Sequence, residues 1–330
     1  MPDWQGLEVF VVAARLENFS AAAQELHLSQ PAVTQRIQAL EREFGVKLFE
    51  REGRRVRLSE AGDYLLPLAD DLLRRARRVE EMMRSLSGKV VGHLVLGCST
   101  TSGKYVLPGI LARFCERYPG VRATVRMASR ACVLEMLRSR EAQIVFTSVP
   151  VDQNELIYRK FFEDDIILVA PEDHPWSRRD VIAPHELLGE RFILREPTSG
   201  TYLAMERALT ACDIQPSELN TVMTLGNSEA IIMAVEEGIG VGFVPRLAAE
   251  RSLMLGQVRE IRVQGVSMMH TIWMVESTLY PATAAQLRFL EMLRTEGIIP
   301  AGAEAEVPYA VLPEGERCTV VGGEKVMEPG

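Results

Sequence analysis

The sequence predicts an N-terminal all-α unit carrying a small hairpin, one long linking helix, and a C-terminal α/β region folded as two lobes. Apolar residues recur at helical spacing over residues 4–44. A seven-residue repeat follows, through Leu65, Leu72, Val79 and Leu86. Beyond His93, β-type runs alternate with helical ones, as in an open α/β sheet. At 330 residues, 47% hydrophobic and 25% charged, the chain has ordinary globular composition and length for about two or three cores.

The first helix places Trp4, Leu7, Phe10, Val11 and Ala14 on one stripe. Asn18-Phe19-Ser20 interrupts it, and Ser20 reads as the N-cap of a short helix to Leu26. After the tight His27-Leu28 step, Ser29 caps a third helix with Pro31 in its first turn, where a missing N–H costs nothing. Val33, Ile37, Leu40 and Phe44 form its inner face, and Gly45 ends it. So short a step between the second and third helices is the helix-turn-helix arrangement. Residues 47–51 read as a strand, Glu52-Gly53-Arg54 as a turn and 55–58 as the return strand, which together make a wing.

Ser59-Glu60-Ala61-Gly62 opens a helix to about Leu86. The Leu65/Leu72/Val79/Leu86 and Ala69/Ala76/Met83 positions give it a seam suited to pairing with a second copy. Strands are then expected at 94–98, 122–128, 143–148, 166–170, 222–225, 241–244 and 271–275, with helices at 104–118, 130–139, 201–211, 228–237 and 282–296. The expected domains are 1–58 (winged helix-turn-helix), 59–90 (linker helix) and 91–300 (two lobes). Lobe 1 takes about 91–163 and 268–300, and lobe 2 about 164–267. Residues 301–330, with two basic and six acidic groups, read as a flexible acidic tail.

A net charge of −8 argues against indiscriminate nucleic-acid binding, but its distribution leaves room for a local basic patch. Residues 1–92 hold 14 basic and 14 acidic groups, while Arg51, Arg54, Arg55 and Arg57 face only Glu52 in the hairpin. The five cysteines form no CxxC pair, and the five histidines share no metal-ligand spacing with them, so no metal site is expected. Idle thiols in a reducing compartment are the plainer reading, with a redox role entertained only for Cys98 beside a polar loop. No apolar run nears the ~20 residues of a membrane span. Met1-Pro2-Asp3-Trp4 does not open a signal peptide, so a cytoplasmic protein without a membrane partner is expected.

On the third helix Ser29, Gln30, Pro31, Ala32, Thr34, Gln35, Arg36 and Gln38 stand outside the apolar stripe. Gln pairs with adenine and Arg with guanine in a major groove, and small apolar groups touch the thymine methyl. Ser20 and Ser29 at helix starts suit phosphates, and Arg51, Arg54 and Arg55 suit the backbone or the neighbouring minor groove of double-stranded DNA. The runs Asn18-Phe19-Ser20-Ala21-Ala22-Ala23, Leu28-Ser29-Gln30-Pro31-Ala32-Val33-Thr34, Ile37-Gln38-Ala39-Leu40-Glu41 and Gly45-Val46-Lys47-Leu48-Phe49-Glu50-Arg51 closely resemble the DNA-binding domain of LysR-type transcriptional regulators. The resemblance extends over about residues 4–298, with lobes similar to type 2 periplasmic binding proteins. It implies a homotetramer built as a dimer of dimers through paired linker helices, bent DNA, contact with RNA polymerase, and an effector between the lobes.

Ligands of open α/β sheets bind beyond the carboxyl ends of strands, where helix N-termini converge. Ser99, Thr100, Thr101 and Ser102 form one such junction, Thr198, Ser199 and Thr201 a second, Asn227 and Ser228 a third, and Thr147 ends a further strand. Hydroxyls and free N–H groups there suit a small anion, with Lys104 and Arg195 as candidate counter-charges. The loop at 196–201 most resembles that of family members controlling sulfur assimilation or carbon fixation. Capping alone explains any one junction, so a DNA-binding oligomer without an effector stays open as an alternative. No catalytic residues or cofactor are expected, since no GxSxG, HExxH, P-loop or dinucleotide fingerprint is present. Gly238-Ile239-Gly240-Val241-Gly242 follows a helix and precedes a strand, the wrong order for phosphate binding. A transporter's solute-binding component would share the lobes but not the helix-turn-helix.

Overall fold

The computed structural model describes residues 3–52, 55–85, 90–148, 150, 155–179, 181–299, 317–321 and 324–328. The backbone separates into two compact units, Met1–Lys89 and Val90–Gly330.

The first unit comprises α1 (Trp4–Leu16), α2 (Phe19–Glu25), α3 (Gln30–Phe44), a hairpin of β1 (Phe49–Glu52) and β2 (Arg55–Leu58), and α4 (Glu60–Ser85). Asn18, not Ser20, caps α2: its carboxamide oxygen accepts from the N–H groups of Ser20 (2.9 Å) and Ala21 (3.1 Å). Asn18 has the extended backbone that a cap needs, which leaves Ser20 in the first turn. His27, at φ 54°, makes the turn into α3, and Ser29 caps that helix through Ala32 N–H. Phe10, Val33, Ile37, Leu40 and Leu48 are buried together. Phe44 is exposed, contrary to the expected stripe, because the left-handed Gly45 turns the chain away as the helix ends.

The wing is held to α3 by a residue that sequence periodicity does not mark. Glu41 is buried, and its carboxylate accepts from Leu48 N–H (3.0 Å) and from the Lys47 ammonium (2.6 Å). Ser59 Oγ donates to the Lys47 carbonyl (2.5 Å) and accepts from Gly62 N–H (3.1 Å), tying the wing to the start of α4. The return strand lies where expected, whereas the first runs over Phe49–Glu52 rather than 47–51, with Phe49 paired to Leu58 and Glu52 to Arg55.

The first half of α4 packs on its own domain. Ala69, expected on the pairing seam, is buried in the core together with Leu73, and Leu65 and Leu66 pack against it. Leu72, Val79 and Met83 remain exposed at 41%, 61% and 62%, whereas Leu86 lies outside the described residues.

The second unit runs β3 (Gly92–Cys98), α5 (Leu107–Arg117), β4 (Val121–Met127), α6 (Arg130–Arg138), β5 (Ile144–Thr147), β6 (Leu156–Pro171), β7 (Arg191–Arg195), α7 (Gly200–Thr210), β8 (Asn220–Leu225), α8 (Ser228–Glu236), β9 (Val241–Pro245), α9 (Arg246–Met254), β10 (Val258–Ile261), β11 (Met269–Ser277) and α10 (Ala284–Thr295). The strands follow the order β4-β3-β5-β11-β6-β9-β7-β8, with β10 also on β6. Sixteen-residue β6 spans two sheet halves: Leu156 to Asp165 pair with β11, and Ile166 to Val169 pair with β9. Alternate side chains enter opposite cores, Leu94, Leu96 and Phe146 with Phe114 and Phe289, and Val95 and Val145 with Val133 and Val275. The second half repeats this, Phe192 and Phe243 on one face, Ile193 and Val244 on the other.

The first part of β6, with β7, α9 and β10, goes beyond the sequence expectation. Arg159, Lys160, Glu163, Asp164 and Asp165 break the apolar rhythm of β6, and its ladder with β11 shifts register at Phe161, between Ile272 and Trp273. The expected helix at 104–118 begins with a π turn at Ser102–Val106 before α5. Within the expected flexible tail, β12 (Arg317–Val321) pairs antiparallel with β13 (Glu324–Glu328).

A Cβ on Gly62 would lie 2.2 Å from the Leu48 carbonyl oxygen and 2.8 Å from Leu58 Cδ2. Gly62→Ala is expected to force α4 off the wing and destabilise the first unit by about 1–3 kcal/mol. Denaturant unfolding of the full chain checks this, and an unchanged midpoint counts against the contact.

Candidate DNA interface and effector cleft

On α3, Gln30, Pro31, Gln35 and Gln38 are exposed, and Ala32, Thr34 and Arg36 are half-buried beside them. The face they form lies opposite Val33, Ile37 and Leu40. Ser29 and Ser20 are exposed at the starts of α3 and α2. Gln30 Nε2 donates to Thr34 Oγ1 (3.1 Å), and Arg36 donates to Gln5 Oε1 (2.7 Å), so these side chains are partly ordered by α3 and α1 themselves. Arg51 and Arg55 occupy paired strand positions of the wing, whereas Arg54 lies outside the described residues.

In the second unit the predicted junctions fall at strand ends and helix starts. Two of them are capping sites. Ser199 Oγ accepts from Tyr202 N–H (3.0 Å), and Asn227 Oδ1 accepts from Ala230 N–H (2.8 Å). Ser228 Oγ accepts from Arg195 (3.4 Å), and Thr101 and Thr201 are buried. Thr100 and Thr198 are half-buried. By contrast, the Ser99, Ser102 and Thr147 hydroxyls are buried with no hydrogen-bond partner among the described residues. Buried polar groups normally have partners, so these three hydroxyls stand out at the predicted junctions.

The candidate counter-charges are already engaged. Lys104 pairs with Glu229 at the start of α8 (3.0 Å), and Tyr105 Oη donates to the same carboxylate (2.7 Å), joining the lobes. Burial and the Glu229 bond push the Tyr105 hydroxyl up. Arg195 forms two hydrogen bonds to Glu196 (2.8 and 2.7 Å).

His270 in β11 is a site residue that sequence reasoning missed. It is 7% exposed, and neither ring nitrogen has a hydrogen-bond partner among the described residues. A Cβ on Gly200, the first residue of α7, would lie 2.3 Å from Ser148 Oγ and 2.4 Å from His270 Nε2. Lobe 1 (Ser148), lobe 2 (Gly200) and the crossing strand therefore meet at one point that only glycine allows. Burial pushes the imidazole down to about 4, with Arg195 acting in the same direction. A lone histidine in a strand carries no spacing signal, which is why it escaped notice.

Cys98 is a free thiol in the lobe 1 core that burial pushes up to about 12, which removes the thiolate that redox chemistry needs. Cys115 and Cys212 are also free, but Cys132 is disulfide-bonded, so the thiols are not all idle. Among the described residues no cluster of His, Cys, Asp or Glu suits a metal ion, and no helix is long and apolar enough to cross a membrane.

A helix with an open polar face beside a two-stranded wing, and a two-lobed α/β unit with orphaned polar groups at its strand ends, define a DNA-binding regulator with a ligand-binding domain. Residues 4–63 match the bacterial regulatory helix-turn-helix protein model of the lysR family, and residues 87–297 match the LysR substrate binding domain. The RuBisCO operon transcriptional regulator of Allochromatium vinosum is 32% identical over 259 residues, covering 78% of this chain and 84% of the relative. Full-length CbnR complexed with its target DNA has a similar fold, with TM-score 0.67 and 21% identity, covering 89% of this chain and 99% of CbnR. The Synechocystis PCC6803 CcmR regulatory domain, solved in complex with 2-PG, matches with TM-score 0.57 and 22% identity over 62% of this chain and 97% of its own. The chain belongs to the LysR family: it is a DNA-binding transcriptional regulator with an effector-binding domain.

Asp164, directly opposite His270 on β6, is buried, and its Oδ1 accepts from Leu247 N–H (3.4 Å). Burial raises its carboxyl from 3.8 to about 6, with Asp165 adding to the rise against Leu247 N–H and Arg246. The folded state thus holds this proton more tightly than the unfolded chain, and stability is lost as pH rises from about 4 through 6. Asp164→Asn keeps an acceptor for Leu247 and removes the charge. Its thermal midpoint is expected to exceed that of wild type by a few degrees at pH 7–8, with the gain gone by about pH 4. A gain of equal size at both pH values would contradict the assignment.

Proposed function

We propose that the protein reads double-stranded DNA with α3 and responds to a small anionic effector held between its α/β lobes. The open polar face of α3 carries this reading. Gln30, Thr34, Gln35 and Gln38 face the base edges and Ala32 meets a thymine methyl. Ser20, Ser29, Pro31 and Arg36 lie along the phosphates, and Arg51, Arg54 and Arg55 of the wing follow the adjacent backbone. Arg36, held by Gln5, is positioned rather than freely searching.

Residues 1–58 act as the reading domain, 59–90 as linker and 91–300 as sensor. The exposed Leu72, Val79 and Met83 on α4 meet the same stripe of a second copy, as the first step toward a dimer of dimers. Family membership supports a cytoplasmic regulator that contacts RNA polymerase and has neither catalytic activity nor a cofactor. The effector reading is preferred to an oligomer without one because Ser99, Ser102 and Thr147 are orphaned, which capping does not explain. The RuBisCO-regulator relative and the 2-PG seen in CcmR favour a carbon-fixation role and a phosphorylated or carboxylated effector.

Operator fragments selected from random DNA test the reading face. Gln30→Ala or Gln35→Ala is expected to cost about 1–3 kcal/mol of specific binding and relax one base position each. Unchanged selected sequences in both variants would remove these residues from the face. Arg55→Ala is expected to weaken all DNA alike and reduce the slope of log K against log salt by about one unit. A slope that stays at the wild-type value would take Arg55 off the backbone.

A further inference from the structure

We infer that His270 supplies the positive charge of the effector cleft: an anion seated against α7 and β11 is held with uptake of one proton onto its ring. The inference deepens the effector reading above and rests on it.

The cleft has little cationic charge to spare. Lys104 is neutralised by Glu229, and Arg195 by the two-bond pair with Glu196. What remains are the orphaned hydroxyls of Ser99, Ser102 and Thr147, the first turns of α7 and α8, and one imidazole with two unpartnered nitrogens. Hydroxyls and helix ends bond an anion's oxygens but do not neutralise a full charge in a buried site. His270 does both once protonated, since both of its nitrogens then donate. Its Nε2 sits against Gly200, at the N-terminal end of an eleven-residue helix where N–H groups point outward and a side chain would block the approach.

The surroundings fix which way the proton moves. Arg195 on β7 opposes protonation of the ring, as does burial. On β6, Asp164 lies opposite with Oδ1 bonded to Leu247 N–H and Oδ2 buried without a partner among the described residues, Asp165 faces Arg246, and Glu163 is shared between Thr271 and Lys160. β5 brings only the hydroxyls of Thr147 and Ser148, and α7 has no charged side chain before Glu206. The empty-handed ring is therefore neutral at pH 7, and an anion arriving within a few ångström favours the charged ring by Coulomb attraction, against both burial and Arg195. Affinity is predicted to fall as pH rises from the free-state to the bound-state pKa, approaching tenfold per unit between them, and to level off above the bound-state pKa.

The test is calorimetry of the full-length protein with 2-PG, inorganic phosphate and sulfate as probes. Each is titrated at pH 7 in buffers of different ionisation enthalpy, then across pH 6–9. Net proton uptake toward one per site is expected after correcting for the probe's own ionisation, for which sulfate needs no correction. His270→Gln, a donor that cannot charge, is expected to bind about tenfold or more weakly, with no uptake and a flat pH profile. Asp164→Asn is expected to retain the uptake; its loss there would move the proton to Asp164 and overturn the assignment. Tight binding by wild type without uptake also overturns it, while leaving the cleft an anion site. If none of the three probes binds wild type, the anionic-effector reading itself fails and this inference with it. Should His270→Gln not fold, wild-type uptake together with Asp164→Asn still decides.

Discussion

The register between β6 and β11 is the constraint on which the sensing unit depends. Because β6 runs unbroken from the lobe 1 half of the sheet to the lobe 2 half, its ladder sets where Asp164 lies against His270, and hence where β11 meets the start of α7. A slip by one residue would turn His270 to the opposite face and carry Asp164 away from α9. The orphaned hydroxyls of lobe 1 and the helix starts of lobe 2 come from segments about a hundred residues apart in sequence. Only a fixed crossing strand brings them to one place. Gly200 of lobe 2 marks how close that approach is, since Ser148 of lobe 1 and His270 of β11 both lie within van der Waals reach of its missing side chain.

Electrostatics in the cleft follows from this closeness. Glu229 takes both Lys104 and Tyr105 from across the lobes, and despite burial these partners hold its carboxyl below the ordinary range. A carboxylate so placed at the start of α8 competes for the helix N-terminus that an anion would use. The site is thus balanced, with cations matched to carboxylates and a neutral imidazole kept in reserve. In the proposed reading, such a site leaves an anion to be recognised by hydrogen bonds and by the charge it induces.

The helix-turn-helix was the most legible part of the sequence, because caps and core periodicity there speak through short-range rules. Ser29, Pro31 and Gly45 each do what their chemistry requires at a helix end. The exchange of Ser20 for Asn18 as the α2 cap shows the limit of those rules, since two good caps stood two residues apart and backbone geometry chose between them. Glu41 was illegible for another reason. A carboxylate on the inner side of an amphipathic helix reads as a surface charge until the wing's N–H groups are placed beside it. All four strand-end junctions were visible as polar residues, but sequence could not separate capping hydroxyls from orphaned ones. Ser199 and Asn227 are spent on α7 and α8, while Ser99, Ser102 and Thr147 are not. His270, Gly200 and the Lys104–Glu229 pair depend on long-range pairing and left no local trace.

An effector shifts a regulator only by the difference between its affinities for two arrangements of the protein. Contacts confined to one lobe contribute nothing to that difference, however strong they are. The groups that matter are those whose partners lie across the cleft. Here they are Glu229 with Lys104 and Tyr105, and Gly200 with Ser148 and His270. Under the proposed reading, an anion bridging the second set would strengthen lobe contact without touching the first, with the existing ion pair keeping the lobes together. Recognition and response then share the same few atoms.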